Sequence, residues 1–151
     1  MLQSMDIVIA KTPEQYQQAI AIQLAVFFEE QGIPEATCLE GNKDATHALA
    51  LLDAVPIATA RLLPLENAHA EIARVAVLPA HRGAGLGGRL VIALEEQARR
   101  LEIESVELHP HDYLEPFYER LGYRREDDSS EIVGGHRLLT MHKRLTDQPA
   151  P

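Results

Sequence analysis

Gly83, Gly85, Gly87 and Gly88 remove the side chains from four of six consecutive positions. They stand between a β-prone run, Val75 to Leu78, ended by Pro79, and a helical stripe that begins at Leu86. Bare N–H groups at a helix start lack partners within the helix and lie at the positive end of its dipole, so they form an anion site. Arg82 and Arg89 sit at that same end, where the dipole opposes cations, and a phosphate or pyrophosphate would resolve the conflict. Three spacings could serve such an anion. The nucleotide P-loop fails, because Gly88 is followed by Arg89 and Leu90 rather than by Lys and Ser or Thr. A dinucleotide fingerprint fits by letters through Gly83, Gly85, Gly88 and Glu107. However, Pro79-Ala-His-Arg82 separates the glycines from the strand, and too little chain follows for a doubly wound sheet. The third spacing is Arg82-x-x-Gly85-x-Gly87.

The elements around this turn follow from periodicity. A strand is predicted over Asp6 to Ala10. Thr12-Pro13-Glu14-Gln15 reads as a capping box that opens a helix carrying Tyr16, Ile20, Leu24, Phe27 and Phe28 on one side and stopping near Gly32. The segment Glu35 to Asp44 is a mobile loop or a short helix. Thr46–Leu52 and Pro56–Leu63 form a hairpin turning at Asp53-Ala-Val-Pro. Ala70 to Leu78 is a third strand, and its change of phase between Ile72 and Val75 calls for a bulge near Ala73 or Arg74 that splays it from the strand after the helix and opens a slot. The helix that follows buries Leu86, Leu90, Leu94 and Leu101, and Glu95, Glu96, Arg99 and Arg100 cover its outer face. Glu104 to His109 is a strand parallel to the third, as a βαβ unit requires. A short helix over Tyr113 to Leu121 closes at Gly122. Tyr123-Arg-Arg is strand, Asp127-Asp-Ser-Ser is turn, and Gly135 to Lys143 is the last strand. The result is an α/β (α+β) mixed sheet of about seven strands, antiparallel at its centre with one parallel pair, flanked by about four helices.

Composition narrows the function. At 151 residues and 46% apolar content the chain forms one domain, 1–151, with residues 146–151 as a frayed tail. A net charge of −9 argues against nucleic acid or an anionic membrane as partner, and weakly favours a cationic substrate. The lone Cys38 precludes an internal disulfide, fits a reducing, cytoplasmic setting, and reads as a small apolar filler. No apolar run approaches a membrane span, and no signal-peptide pattern opens the chain.

Two stretches carry a resemblance. Arg82-x-x-Gly85-x-Gly87, with Arg74-Val-Ala-Val-Leu-x-x-x-Arg82-Gly-x-Gly85 as the strand and turn before it, resembles motif A of the GNAT superfamily of N-acetyltransferases. Phe117-Tyr118-Glu119-Arg120-Leu121-Gly122-Tyr123 resembles its motif B. The similarity spans residues 5–145. Phe27-Phe28-Glu29-Glu30-Gln31-Gly32-Ile33-Pro34 and the late Glu131…Gly135-His136 pattern resemble the ElaA-like and YjcF-like branch, except that Gly134-Gly135 replace the Ile-Pro common before the late histidine. The resemblance implies acetyl transfer from acetyl-CoA, as co-substrate, to a primary amine of a small molecule or peptide. A non-catalytic acyl-CoA sensor on the same fold is the alternative. It implies that Val75, Ala76 and Val77 run beside the pantetheine. It further implies that Arg82, Gly83, Ala84, Gly85, Leu86, Gly87, Gly88 and Arg89 hold the pyrophosphate. Tyr118 would then point its hydroxyl at the thioester sulfur and protonate the leaving thiolate, and a strand amide near Val77 would serve the oxyanion.

The general base stays open among Glu71, a water chain and an amine that arrives neutral, because Ala73 stands where many relatives carry glutamate. His109, His111 and His136 are candidates for the acceptor side, with His142 on the surface. Glu29, Glu30, Glu35 and Glu40 either face solvent or present charge to an amine. No metal is expected, since His109-Pro-His111 has no second ligand pair at zinc spacing. Nothing in the sequence sets the oligomeric state, and a homodimer is one option.

Overall fold

The computed structural model describes residues 3–133 and 135–145. The tail from Thr146 and the departure at Gly134 lie outside the described residues. Seven strands form one sheet in the order β1-β2-β3-β4-β5-β7-β6. In chain order these are β1 Met5–Ile9, α1 Pro13–Gln23, α2 Glu35–Leu39, β2 Thr46–Leu52, β3 Val55–Pro64, β4 His69–Val77, α3 Leu86–Arg100, β5 Ser105–Leu108, α4 Glu115–Arg120, β6 Arg124–Val133 and β7 His136–Arg144. Only β4 and β5 pair in parallel. Among the described residues no helix is long and apolar enough to cross a membrane.

Two cores sandwich the sheet. Leu86, Leu90, Val91, Leu94 and Ala98 of α3 pack on Ala48, Ala50, Ala60, Leu62, Ile72 and Val106 on one face. On the other, Ala19, Ile22 and Val26 meet Leu49 and Ala76. α1 therefore buries a different stripe from the one expected. Ala19, Ile22, Gln23 and Val26 are buried, Tyr16, Ile20, Leu24 and Phe27 are only half-buried, and Phe28 is 42% exposed. Ala19, Ile22, Gln23 and Val26 are themselves one helical stripe, and beyond it a wide turn over Leu24–Glu30, where Gln31 N–H bonds back to the Val26 carbonyl, rotates the residues that follow. Thr12 caps the helix, accepting from the Gln15 amide, and Gln15 Oε1 takes the Lys11 amide in return.

The segment after α1 takes the helical option, as α2 and a short turn over Asn42–Asp44. Arg61, 4% exposed on β3, pins it by donating to the Glu40 carbonyl and to Asn42 Oδ1. Asn42 Nδ2 donates in turn to Gln23 Oε1. Cys38 is buried, which pushes its thiol pKa up, as befits a filler.

Three further expectations are corrected. The β2–β3 turn is two residues long, Asp53 and Ala54, both with positive φ, the twist a tight hairpin needs, so Val55 already pairs with Leu52. Asp127-Asp-Ser-Ser is not a turn. β6 runs through it, with Arg125 opposite Met141 and Ser130 opposite Leu139, so one continuing strand carries extra residues against β7 there. Leu101, expected in the α3 stripe, is 49% exposed, whereas Glu95, expected outside, is 2% exposed.

Candidate active site

Arg74 supplies the bulge. Thr59 pairs with Ala76 and Arg61 with Ala73, so Arg74 and Val75 together oppose Ala60. The extra residue switches the strand's phase: Ala70 and Ile72 face α3 before it, and Val75 and Val77 after it, while Ala76 turns into the α1 core. Arg74 adopts φ 53°, a conformation costing a side-chain-bearing residue about 1–2 kcal/mol. Its guanidinium offsets the cost by donating to the Cys38 and Thr37 carbonyls at the end of α2. Parallel pairing with β5 stops at Glu71 opposite Glu107, although β4 continues to Val77. Among the described residues the β5-facing edge from Ile72 to Val77 thus has no strand beside it, where the slot was expected.

The glycine turn sits at the far end of that edge. Gly85 caps α3 with φ 76° and offers no side-chain oxygen, and a Cβ built there, or at Gly83, would meet nothing within 4 Å. These two positions need glycine for conformation and lie open above. Gly87 and Gly88 need it for packing, since their Cβ atoms would come within 3.4 Å of Val75 Cγ1 and 3.3 Å of Phe117 Cζ. Among the described residues no protein acceptor takes the amides of Gly83 to Gly88, and the first internal bond is Arg89 N–H to the Gly85 carbonyl. Leu86 is buried, whereas Arg82, Ala84 and Arg89 are exposed.

Arg82 is turned elsewhere than expected. Both terminal nitrogens grip Glu30 at 2.7 and 2.6 Å, and Nε donates to the Val77 carbonyl. The bidentate bond holds Glu30 below the usual carboxylate range and raises Arg82. The fork therefore ties the end of the α1 extension to the end of β4, and Glu30 is not presented to an amine.

Tyr118 on α4 is 7% exposed, edge-on to Phe117 and Tyr123. Burial pushes its pKa up to about 12, so the hydroxyl keeps its proton at neutral pH. The rest of motif B builds a buried pair that sequence reasoning missed. Tyr123 Oη donates to Glu95 Oε2 at 2.7 Å, and Lys143 Nζ donates to Glu95 Oε1 at 2.9 Å and to the Leu121 carbonyl at 2.7 Å. Gly122, at φ 97°, closes α4, and a Cβ there would stand 3.2 Å from Lys143 Cε, so the glycine also makes room for the lysine.

Where β4 and β5 part, polar side chains converge on the face opposite α3. Glu107 receives both His69 Nε2 (2.6 Å) and His109 Nε2 (2.7 Å), and Glu71 Oε2 lies 3.4 Å from the same His109 nitrogen. Ser105 Oγ is 2.6 Å from His69 Nδ1, and Thr140 Oγ1 is 3.2 Å from His109 Nδ1. His142 stacks on His69 and bonds Glu126. Burial works to raise the Glu107 pKa, but the hydrogen bonds and charges of the two histidines outweigh it and leave the group lowered. Of the expected acceptor-side residues, His109 joins this cluster. His111 and His136 instead meet each other edge-on, with Tyr113 stacked on His111. Burial, then the His136 charge, lowers the pKa of His111. Glu107, His69 and Thr140 were not singled out for the acceptor side. Period-two polarity on β4 and β5 was visible, but the register that brings them together was not.

The acetyltransferase (GNAT) family matches the chain over residues 13–123. A Bacillus subtilis (strain 168) protein named as an acetyltransferase is 36% identical over 129 residues, covering 81% of this chain and 86% of the relative. YjcF of the same organism, an uncharacterised N-acetyltransferase, is 28% identical over 139 residues, covering 92% and 99%. The crystal structure of an assigned N-acetyltransferase from Lactobacillus plantarum superposes with TM-score 0.85 at 32% identity, covering 94% of this chain and 99% of that one. Escherichia coli ElaA shares the fold at TM-score 0.78 and 21% identity, with the same coverage.

Proposed function

The chain belongs to the acetyltransferase (GNAT) family, which uses acetyl-CoA, and we propose that it moves the acetyl group of acetyl-CoA directly to a primary amine of a small molecule or peptide. One observation carries the reading: six amides, Gly83 to Gly88, without protein acceptors among the described residues stand beside the stretch of β4 that runs on past its pairing with β5. Amides at a helix start suit the pyrophosphate. The free edge at Val75–Val77 suits the amide groups of the pantetheine arm, added like a further strand. A backbone N–H near Val77 is placed to meet the developing oxyanion.

Tyr118 is the acid for the departing thiolate. Burial makes a tyrosinate costly, so its proton leaves in concert with the arrival of another from the acceptor nitrogen. The alternative, an acyl-CoA sensor without turnover, draws on Ala73, which offers no carboxylate at the residue before Arg74. A thiol-release assay with acetyl-CoA against polyamines, amino acids, aminoglycosides and peptides separates the two. Turnover with any amine supports the transferase. Tight acetyl-CoA binding without thiol release from any of them supports the sensor.

A further inference from the structure

Glu107 sits at the centre of two mirror-image hydroxyl–imidazole–carboxylate chains, Ser105–His69–Glu107 and Thr140–His109–Glu107. The hydrogen bonds dictate the tautomers. An ionised Glu107 only accepts, so each Nε2 facing it carries a hydrogen, and the neutral lone pair of each ring lies on Nδ1. That is the polarity of an imidazole set up to take a proton on its outer nitrogen while a carboxylate steadies the charge on the inner one. Both ring nitrogens of each histidine are matched to a hydrogen-bond partner, which suits proton exchange, and Glu71, Glu107 and His109 also bring ligand atoms within 4.8 Å of one another. The two chains differ in access. The His69 side chain is 21% exposed and stacked on His142, and Ser105 is half-buried. The His109 side chain is 36% exposed, one residue past the end of β5, at the mouth of the gap where β4 and β5 separate.

We propose that His109 Nδ1 is the base that deprotonates the acceptor, that Glu107 is its positioning residue, and that the acceptor is an alkylamine arriving as its ammonium form. The proposal rests on the acetyl-transfer reading and supplies the base that Ala73 leaves missing. One ammonium proton passes to His109 Nδ1. The freed lone pair attacks the thioester carbonyl carbon, the C–N bond forms and the C–S bond breaks. The sulfur leaves with the electron pair and takes the Tyr118 proton, and Tyr118 regains a proton from the new amide nitrogen. His109 then returns the first proton to water. Glu71 from β4, Glu107 from β5 and Thr140 from β7 face the imidazole, His69 from β4 bonds the same Glu107, and His111 and Asp112 are next along the chain.

The experiment compares native protein with His109→Gln for thiol release from acetyl-CoA with an alkylamine, near neutral pH and again about two units higher. The loss expected at neutral pH is roughly a hundredfold or more. It narrows as pH rises, because more of the amine is already neutral. Glu107→Gln shows the same pH-sensitive loss in kcat with KM for acetyl-CoA unchanged. Thr140→Val, which leaves the Nδ1 lone pair in place, stays within about tenfold. An equal loss at both pH values, no loss at either, or a loss of acetyl-CoA affinity in calorimetry overturns the assignment. Failure of the native protein to release thiol with any amine would instead sink the acetyl-transfer reading itself.

Discussion

Gly85 offers a test in which backbone strain and electrostatics separate. At φ 76° any side chain costs about 1–2 kcal/mol, and the open space around the built Cβ adds no steric cost. Gly85→Ala and Gly85→Glu should therefore lower Tm alike, by about 2–8 °C at the usual scale for a chain of this size. They differ in charge. A glutamate carboxylate among the bare amides stands on the order of 6 Å from each phosphoryl group of a diphosphate, where each like-charge pair costs about 0.7–2.8 kcal/mol for an effective dielectric of 80 to 20. Two such pairs weaken CoA by roughly tenfold to ten-thousandfold relative to Gly85→Ala. Isothermal titration with CoA on both variants measures the difference, and added salt should shrink it. If Gly85→Glu binds CoA as tightly as Gly85→Ala, the diphosphate does not lie on these amides and the placement of the donor fails.

Other outcomes follow from the same structure. Tyr118→Phe should slow turnover by roughly 10²–10⁴ while acetyl-CoA affinity moves little. Because burial puts the Tyr118 pKa at about 12 and an acid works only while protonated, native turnover should show no alkaline decline from this group below about pH 11, as a pH–rate profile would reveal. Lys143→Met leaves Glu95 buried with only the Tyr123 hydroxyl, so thermal unfolding should show about 3–5 kcal/mol lost, a fall of about 6–20 °C. Adding Glu95→Leu should recover most of it, and a double variant no better than the single would remove the ion-pair explanation. Glu30→Gln releases the Arg82 fork beside the glycine turn and should tighten CoA by up to about fivefold, an effect lost at high salt; unchanged titration curves would show that Arg82 acts only as a clasp.

Much of the fold was legible because it rests on local pattern. Alternation marked the strands, the phase slip between Ile72 and Val75 marked the bulge at Arg74, and glycines between a strand and an amphipathic stripe marked the anion turn. Period three to four could not say which of two apolar stripes on α1 points inward, because Ala19, Ile22 and Val26 follow the same period as Tyr16, Ile20 and Leu24. Nor could it reveal that a glutamate on α3 goes inside because a lysine from β7, some fifty residues away, meets it there. Asp127-Asp-Ser-Ser carries turn chemistry, but a turn and a stretch of extra residues within one strand use the same residues, and only pairing with β7 distinguishes them.

By itself the chain order determined the donor side: Gly83 to Gly88 and the run before them are contiguous, and contiguous residues need no distant partner to form an anion-binding turn. The proposed acceptor-side cluster was assembled by tertiary structure, with His109 the one member the sequence had singled out for it. His69, Glu107 and Thr140 come from three strands and His109 from the residue after β5, and their meeting depends on the parallel register of β4 with β5 and the antiparallel register of β5 with β7. A shift of one residue would send every one of those side chains to the opposite face, and no local preference in the sequence fixes that choice.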